Sequence, residues 1–408
     1  MEHRVACCYL THDHPEIIGE TLKGALPSLS ANGIDVFVYD DSADDATKAV
    51  IEDLIRNGYR DLHYVDAHKA VHGDHKMLLI LQGYGLPEGY DYIWPVKDRI
   101  FFDGACIDRL RKAVDGGYDV IQIADESQRW DISVSVDKDE YTDIAEFYLK
   151  YVMIATDWEG TVRKRLTMLD PIDWERYERE YGIGIDCSFI QPMSLFARLA
   201  EVDSPRIKIV NYERDERTIV GSQGQSWRNV MYETWLDKWI TYNFRLPGVY
   251  DPYKLEAIRS QTGLYELFGS PGMMMEYHDQ GLFTMAVYEK YLRVWPMVTD
   301  IPQDVLCLIA EGRKEEAKER IAGDLENAFK EHDYMCVYRI RTTNFWLKEY
   351  MDDELYEALG VSCIIFRKQM LEKGACHIFD GASSLEEFRK RFRGLSDPAG
   401  SGSSQEER

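Results

Sequence analysis

The chain has 408 residues, 45% of them hydrophobic, which is enough for two or three domains with genuine cores. Against 72 Asp and Glu stand 48 Lys and Arg, a formal net charge of −24. That balance excludes a generic nucleic-acid binder, whose phosphate contacts need clustered cations, but leaves room for a small anionic ligand in a local basic pocket. The eight cysteines show no CxxC or Cys/His ligand spacing. No signal peptide is evident, and no apolar run approaches the roughly 18–20 residues of a membrane span. A reduced, cytoplasmic protein is expected, with peripheral contact at the inner face of the membrane left open.

In chain order, "RVACCYLT" (4–11) is a short β-rich run, followed by a helical stretch over 16–28. "IDVFVYDDS" (34–42) is a second run, and "DATKAVIEDLIRNG" a second helix. "DLHYVD" (61–66), a helix-like "DHKMLLILQGYGL", and "YDYIWPV" (90–96) complete four alternations, and "YDVIQIAD" (118–125) adds a strand. Strands alternating with helices of this length imply a parallel α/β sheet. Between 140 and 250 the pattern loosens, with one further strand at "PRIKIVNY" (205–212). From about 251 onward, apolar residues spaced by three and four predict helices. The expected domains are 1–245, 246–393 and a disordered tail over 394–408.

Ligands of an open parallel sheet sit beyond the carboxyl ends of its strands, where the order reverses. The residues at those ends are Thr11, His12 and His14; Asp40, Asp41, Asp44 and Asp45; Asp66 and His68; and Lys97, Asp98 and Arg99. Any one of them could be polar merely because strand ends face water, and "DDSADDAT" also suits caps and turns. The ordered set is what marks a site. The turn after the first strand, "THDHPEII", has no glycine before Gly19, and no Walker A loop occurs, so no nucleotide is held on a glycine-rich loop.

"VACCYLTHDHPEIIGETLKGAL", "IDVFVYDDSADDATKAVIEDL" and "YDYIWPVKDRIFFDGACIDRL" together resemble the N-terminal half of a GT-A glycosyltransferase, close to the inverting family 2 enzymes, over about 4–125. The segment 226–258, "SWRNVMYETWLDKWITYNFRLPGVYDPYKLEAI", resembles a Trp-rich part of bacterial enzymes that build surface polysaccharides or glycosylate surface proteins. The resemblance implies a GT-A domain followed by a mainly helical C-terminal domain. It implies a nucleotide-sugar donor of the UDP series and a glycan, lipid-linked glycan or glycoprotein acceptor. Thr11, with His12 beside it, falls where the family contacts the base, and Asp40 or Asp41 where a carboxylate holds uracil or ribose.

Asp98 falls on the metal motif, implying Mn²⁺ or Mg²⁺. The family usually has two or three acids there, whereas this chain has Lys97-Asp98-Arg99. One acid can still hold such an ion, because the ion keeps waters and takes ligands from phosphate; alternatively Lys97 or Arg99 neutralises the diphosphate directly. Lys76 is a further candidate for phosphate contact. The general base that inversion needs is expected at Asp186, in "YGIGIDCSFIQP", or at Asp157, in "ATDWEGT", where Trp158 could stack on a sugar. Trp227, Trp235, Trp239 and Tyr242 form one helical stripe, read first as core between the catalytic and C-terminal parts and second as a sugar surface. A non-catalytic scaffold of the same shape is the alternative function, and a homodimer through the helical domain a further expectation.

Overall fold

The computed structural model describes residues 3–70, 72–125, 138–169, 172–221, 229–259, 267–331 and 333–373. Trp227, Cys376 and the tail expected over 394–408 lie outside the described residues. The chain divides into two compact units, Met1–Gly263 and Leu264–Arg408. The boundary thus falls later than the expected 245. The reason is Tyr250, fully buried against Tyr148 and donating its hydroxyl to the Phe196 carbonyl at 2.8 Å, which ties the segment after 245 to the first unit.

The first unit is built on an eight-stranded sheet, which bears out the expected α/β class. The strands are β1 (Val5–Thr11), β2 (Ile34–Asp40), β3 (Leu62–Asp66), β4 (Tyr92–Lys97), β6 (Val120–Asp125), β7 (Glu140–Tyr141), β8 (Thr161–Lys164) and β9 (Ile207–Tyr212). Their order is β3-β2-β1-β4-β8-β6-β9-β7. The pairs β1–β2, β2–β3, β1–β4 and β6–β9 are parallel; β8 runs antiparallel to both β4 and β6, and β7 antiparallel to β9. A separate ribbon joins β5 (Ile100–Phe102) to β10 (Arg217–Ile219).

β1 reads as a continuous apolar run because all seven of its residues are buried, as suits a strand covered on both faces. Helices α1 (Pro15–Ala31), α2 (Ala46–Arg56), α3 (Gly73–Leu81) and α4 (Gly104–Asp115) connect the first strands. Leu22, Leu26 and Leu29 of α1 and Ile107 and Leu110 of α4 join Val36, Trp94 and Ile121 of the sheet in one core.

β8 escaped the sequence pattern because it is four residues long and carries Arg163 and Lys164. Arg163 is nevertheless fully buried, donating to Ser194 Oγ at 2.8 Å and to the Gln191 carbonyl on α5 (Ile190–Leu199). The ladder between β4 and β8 covers only Tyr92↔Lys164 and Ile93↔Arg163. Above it stands Pro95. Tyr92 donates its N–H to Arg4 on the β1 side, so by alternation Pro95 faces the β8 side, where no ladder bond is lost.

The second unit is helical, with helices at Pro271–Asp279, Met285–Lys290, Trp295–Val298, Gln303–Ala310, Lys314–Lys330, Tyr334–Thr343 and Asp353–Lys373. Trp295, fully buried, sits edge-on to Phe268 and Phe283. Among the described residues no helix is long and apolar enough to cross a membrane.

Candidate functional site at the carboxyl edge of the sheet

β1 lies between β2 and β4, so the strand order reverses there, and all three end at one edge: Thr11 is level with Asp40, and Leu10 with Lys97. Two loops are strapped together at this edge. Asp13 N donates to Ser42 Oγ at 2.8 Å, and Ala43 N donates to Asp13 Oδ1 at 2.8 Å. These bonds hold Asp13 at φ +52°, a left-handed conformation that Asp adopts more readily than most residues.

The two acids ending β2 have different tasks. Asp40 is fully buried; Oδ1 accepts from Ser42 N at 3.0 Å and from Ser42 Oγ, and Oδ2 accepts from Tyr64 O–H at 3.2 Å. It fixes the turn. Asp41 pairs with the Lys76 ammonium and lies 3.1 Å from His12 Nδ1. Lys76 is 3% exposed and also donates to the Thr11 carbonyl at 2.5 Å. Its charge braces α3 against the ends of β1 and β2, so the phosphate contact expected of it does not follow from this geometry. His68 bridges Asp66 Oδ1 and the Ser42 carbonyl, both at 2.7 Å, and the Asp66 bond raises its pKa.

Beyond β4 the Asp98 carboxylate is 7% exposed. Its Oδ2 accepts from Thr11 Oγ1 at 3.2 Å and lies 2.8 Å from His14 Nδ1, while Arg99 Nε stands 3.7 Å from Oδ1. Thr11, Asp98 and Arg99 are therefore brought together, with His14 as a partner. Lys97 meets different partners. Its ammonium is 3.4 Å from Asp157 Oδ1 and 3.6 Å from Glu159 Oε2, and Arg217 at the start of β10 pairs with Glu159 Oε1.

Glu159 and Arg217 were invisible to sequence reasoning, because nothing local links positions about 60 residues apart. Glu159 is 2% exposed; burial works against its charge, but Lys97 and Arg217 outweigh that and hold its pKa below the ordinary value. Asp157, on the outer side, is pushed up by burial and by the Glu159 charge. Burial likewise opposes the Lys97 charge, yet Glu159 and Asp157 keep its pKa raised.

Asp186 stands on the loop before α5. It is exposed, its carbonyl accepts from Tyr242 O–H at 3.2 Å, and its carboxylate has no hydrogen-bond partner among the described residues. Close to Tyr242 is an acid that sequence reasoning passed over, Asp74 in the first turn of α3. Burial raises its pKa to about 7, with Lys238 pulling the other way. Trp158 packs against the start of α3, where a Cβ on Gly73 would meet its ring at 3.1 Å. Trp239 is core and Trp235 is half-buried; their rings pack against Phe189 at 4.9 Å edge-on and 5.2 Å tilted, within the first unit.

Among the described residues, no three His, Cys, Asp or Glu side chains gather as a closed metal site. Asp98 fits a hard cation of the kind that keeps several waters and takes its other ligands from phosphate, because among the described residues Oδ1 accepts no hydrogen bond and Arg99 Nε stands 3.7 Å away.

No family model and no curated protein matches the chain. Solved structures of similar shape include the mannosyltransferase PcManGT from Pyrobaculum calidifontis in complex with GDP-Man and Mn²⁺, at 14% identity and TM-score 0.40, covering 77% of this chain and 87% of that one. TarS from S. aureus in complex with UDP aligns at 10% identity and TM-score 0.42, over 77% and 88%. A 4-diphosphocytidyl-2C-methyl-D-erythritol synthase from Anaerococcus prevotii aligns at 12% identity and TM-score 0.35, over 54% and 94%.

Proposed function

We propose that the chain is an inverting glycosyltransferase of GT-A type, moving a sugar from a nucleotide-sugar donor of the UDP series to a glycan, lipid-linked glycan or glycoprotein acceptor. One observation carries this reading. At the edge where the strand order reverses, Asp98 is held between Thr11, His14 and Arg99, directly beside the strapped loops after β1 and β2. The three segments that resemble the family end side by side there, as a donor site requires.

In this reading Thr11, His12 and Asp41 face the base and ribose, Asp40 keeps their loop in shape, and Asp98 and Arg99 face the diphosphate. Asp98 would hold a Mn²⁺ or Mg²⁺ ion, which supplies positive charge to the diphosphate as it leaves. Inversion needs an unencumbered carboxylate to take the acceptor's proton. Asp186 answers that description, whereas Asp157 is engaged by Lys97. Water exclusion and acceptor choice belong to the segments past residue 140.

Calorimetry with UDP and UDP-sugars, with and without Mn²⁺, is the direct test. Binding of UDP is expected, and no binding under any condition would overturn the proposal. Asp186→Asn should abolish transfer while leaving the donor dissociation constant within about threefold.

A further inference from the structure

The sequence places cations where the resembling family places extra acids, and the structure shows that one of them has a companion from far along the chain. β10 pairs antiparallel with β5, the strand that follows Arg99, with Arg217 opposite Phe102 and Val220 N donating to the Arg99 carbonyl at 2.8 Å. This ribbon fixes the first residue of β10 relative to the Lys97-Asp98-Arg99 turn. Arg217 and Lys97 then share a single buried acid, Glu159, with their like charges opposing each other.

Lys97 has a second acid in Asp157, 3.4 Å away, whereas Arg217 pairs with Glu159 alone among the described residues, so the guanidinium is desolvated against a carboxylate that Lys97 also occupies. Glu159 occupies only one edge of the guanidinium. Arg217 Nε is buried and makes no hydrogen bond among the described residues. The Lys97 side chain keeps 34% of its exposure, and Asp157 stands at the outer side of the group, 44% exposed. A carboxylate in that outer position is what a bound anion would displace as the partner of Lys97.

We propose that Arg217 and Lys97, held together on Glu159, form a fixed basic pair that binds the diphosphate of the donor, doing by direct charge part of what a second metal-binding acid does elsewhere. Glu159 is a positioning residue in this scheme, and Arg217 a binding residue. The inference rests on the nucleotide-sugar reading and specifies how its diphosphate is held. Arginine suits the task because its weakly hydrated fork engages phosphate oxygens in pairs.

The test is calorimetry of the full chain in EDTA with UDP, UMP and inorganic pyrophosphate, using the wild type, Arg217→Gln, Arg217→Lys and the double variant Glu159→Gln/Arg217→Gln. The double variant removes both charges, so a fold lost merely through an orphaned Glu159 is recovered in it. Arg217→Gln and the double variant should weaken UDP and pyrophosphate by about tenfold or more and UMP by less than about threefold, with partial rescue by Arg217→Lys. Unchanged UDP affinity in both Gln variants, or equal losses for UMP and UDP, would overturn the proposal. Pyrophosphate binding that depends on Arg217, without any UDP binding, would uphold the basic pair and sink the nucleotide-sugar reading. UDP binding indifferent to Arg217 would do the reverse.

Discussion

His14 Nδ1 lies 2.8 Å from Asp98 Oδ2, joining the first turn after β1 to the first turn after β4 across 84 residues of chain. Thr11 donates to the same oxygen, so one side of the carboxylate is committed to the protein and the other is turned towards Arg99. The acid is oriented before any ligand arrives.

If that orientation serves a divalent ion, Asp98→Ala should abolish the difference between UDP affinities measured with and without Mn²⁺. The thermal midpoint should fall as well, because Thr11 is 2% exposed and its hydroxyl loses its acceptor, so the affinities are compared on folded protein. A Mn²⁺ effect that survives the substitution would take Asp98 out of the site.

Lys76→Met should destabilise the first unit by about 3 kcal/mol, the low end for breaking a buried ion pair, because Asp41 retains some contact with water. Urea unfolding measures it. A loss under about 1 kcal/mol would mean that the brace between α3 and the β1 and β2 ends is dispensable.

Asp74 makes stability depend on pH in a direction opposite to most carboxylates. Its carboxyl titrates near 7 in the folded chain and near 3.8 when exposed. Between those values the folded chain holds a proton that the unfolded chain has released, so this group's contribution falls as pH rises from about 4 to 7 and is flat above. Asp74→Asn removes the penalty. The variant should exceed wild type by about 2 kcal/mol at pH 8, a figure discounted for partial exposure, and match it at pH 4. Urea midpoints at the two pH values check the sign.

Trp239→Ala should cost about 3–5 kcal/mol, since the ring is fully buried against Phe189 and Trp235. UDP affinity in the surviving folded fraction should not change. A selective loss of sugar binding at unchanged stability would restore the reading of this stripe as a sugar surface.

The strands around the donor edge were legible because each is short, apolar and closed by polar residues; Val5–Thr11 and Ile34–Asp40 fall almost where the pattern puts them. What the pattern could not show is how charges are shared out. Lys76 looks like any lysine on a helix until its burial against Asp41 is seen. Lys97 and Arg99 are close neighbours in sequence yet meet different acids, Glu159 and Asp98. β8 was hidden by a further mismatch, an arginine in the middle of a sheet, legible only once Ser194 and Gln191 are known to receive it. Periodicity reports which face is dry; it carries no information about which distant side chains meet.

The short β8 ladder bears on how this sheet could diversify. Because β4 and β8 pair only at Tyr92 and Ile93, the sheet is a fork whose tines part towards the site: β3, β2, β1 and β4 on one side, β6, β9 and β7 on the other. Trp94 Nε1 donates to the Glu159 carbonyl at 2.9 Å across the crotch, where the next ladder bonds would otherwise be. The pairing with β4 thus ends at Ile93↔Arg163 although β8 itself runs on to Thr161, which stays paired with Gln122 of β6. Because Pro95 brings no N–H to that side, a residue with an N–H at position 95 would let the ladder run further and draw β4 and β8 together towards the site.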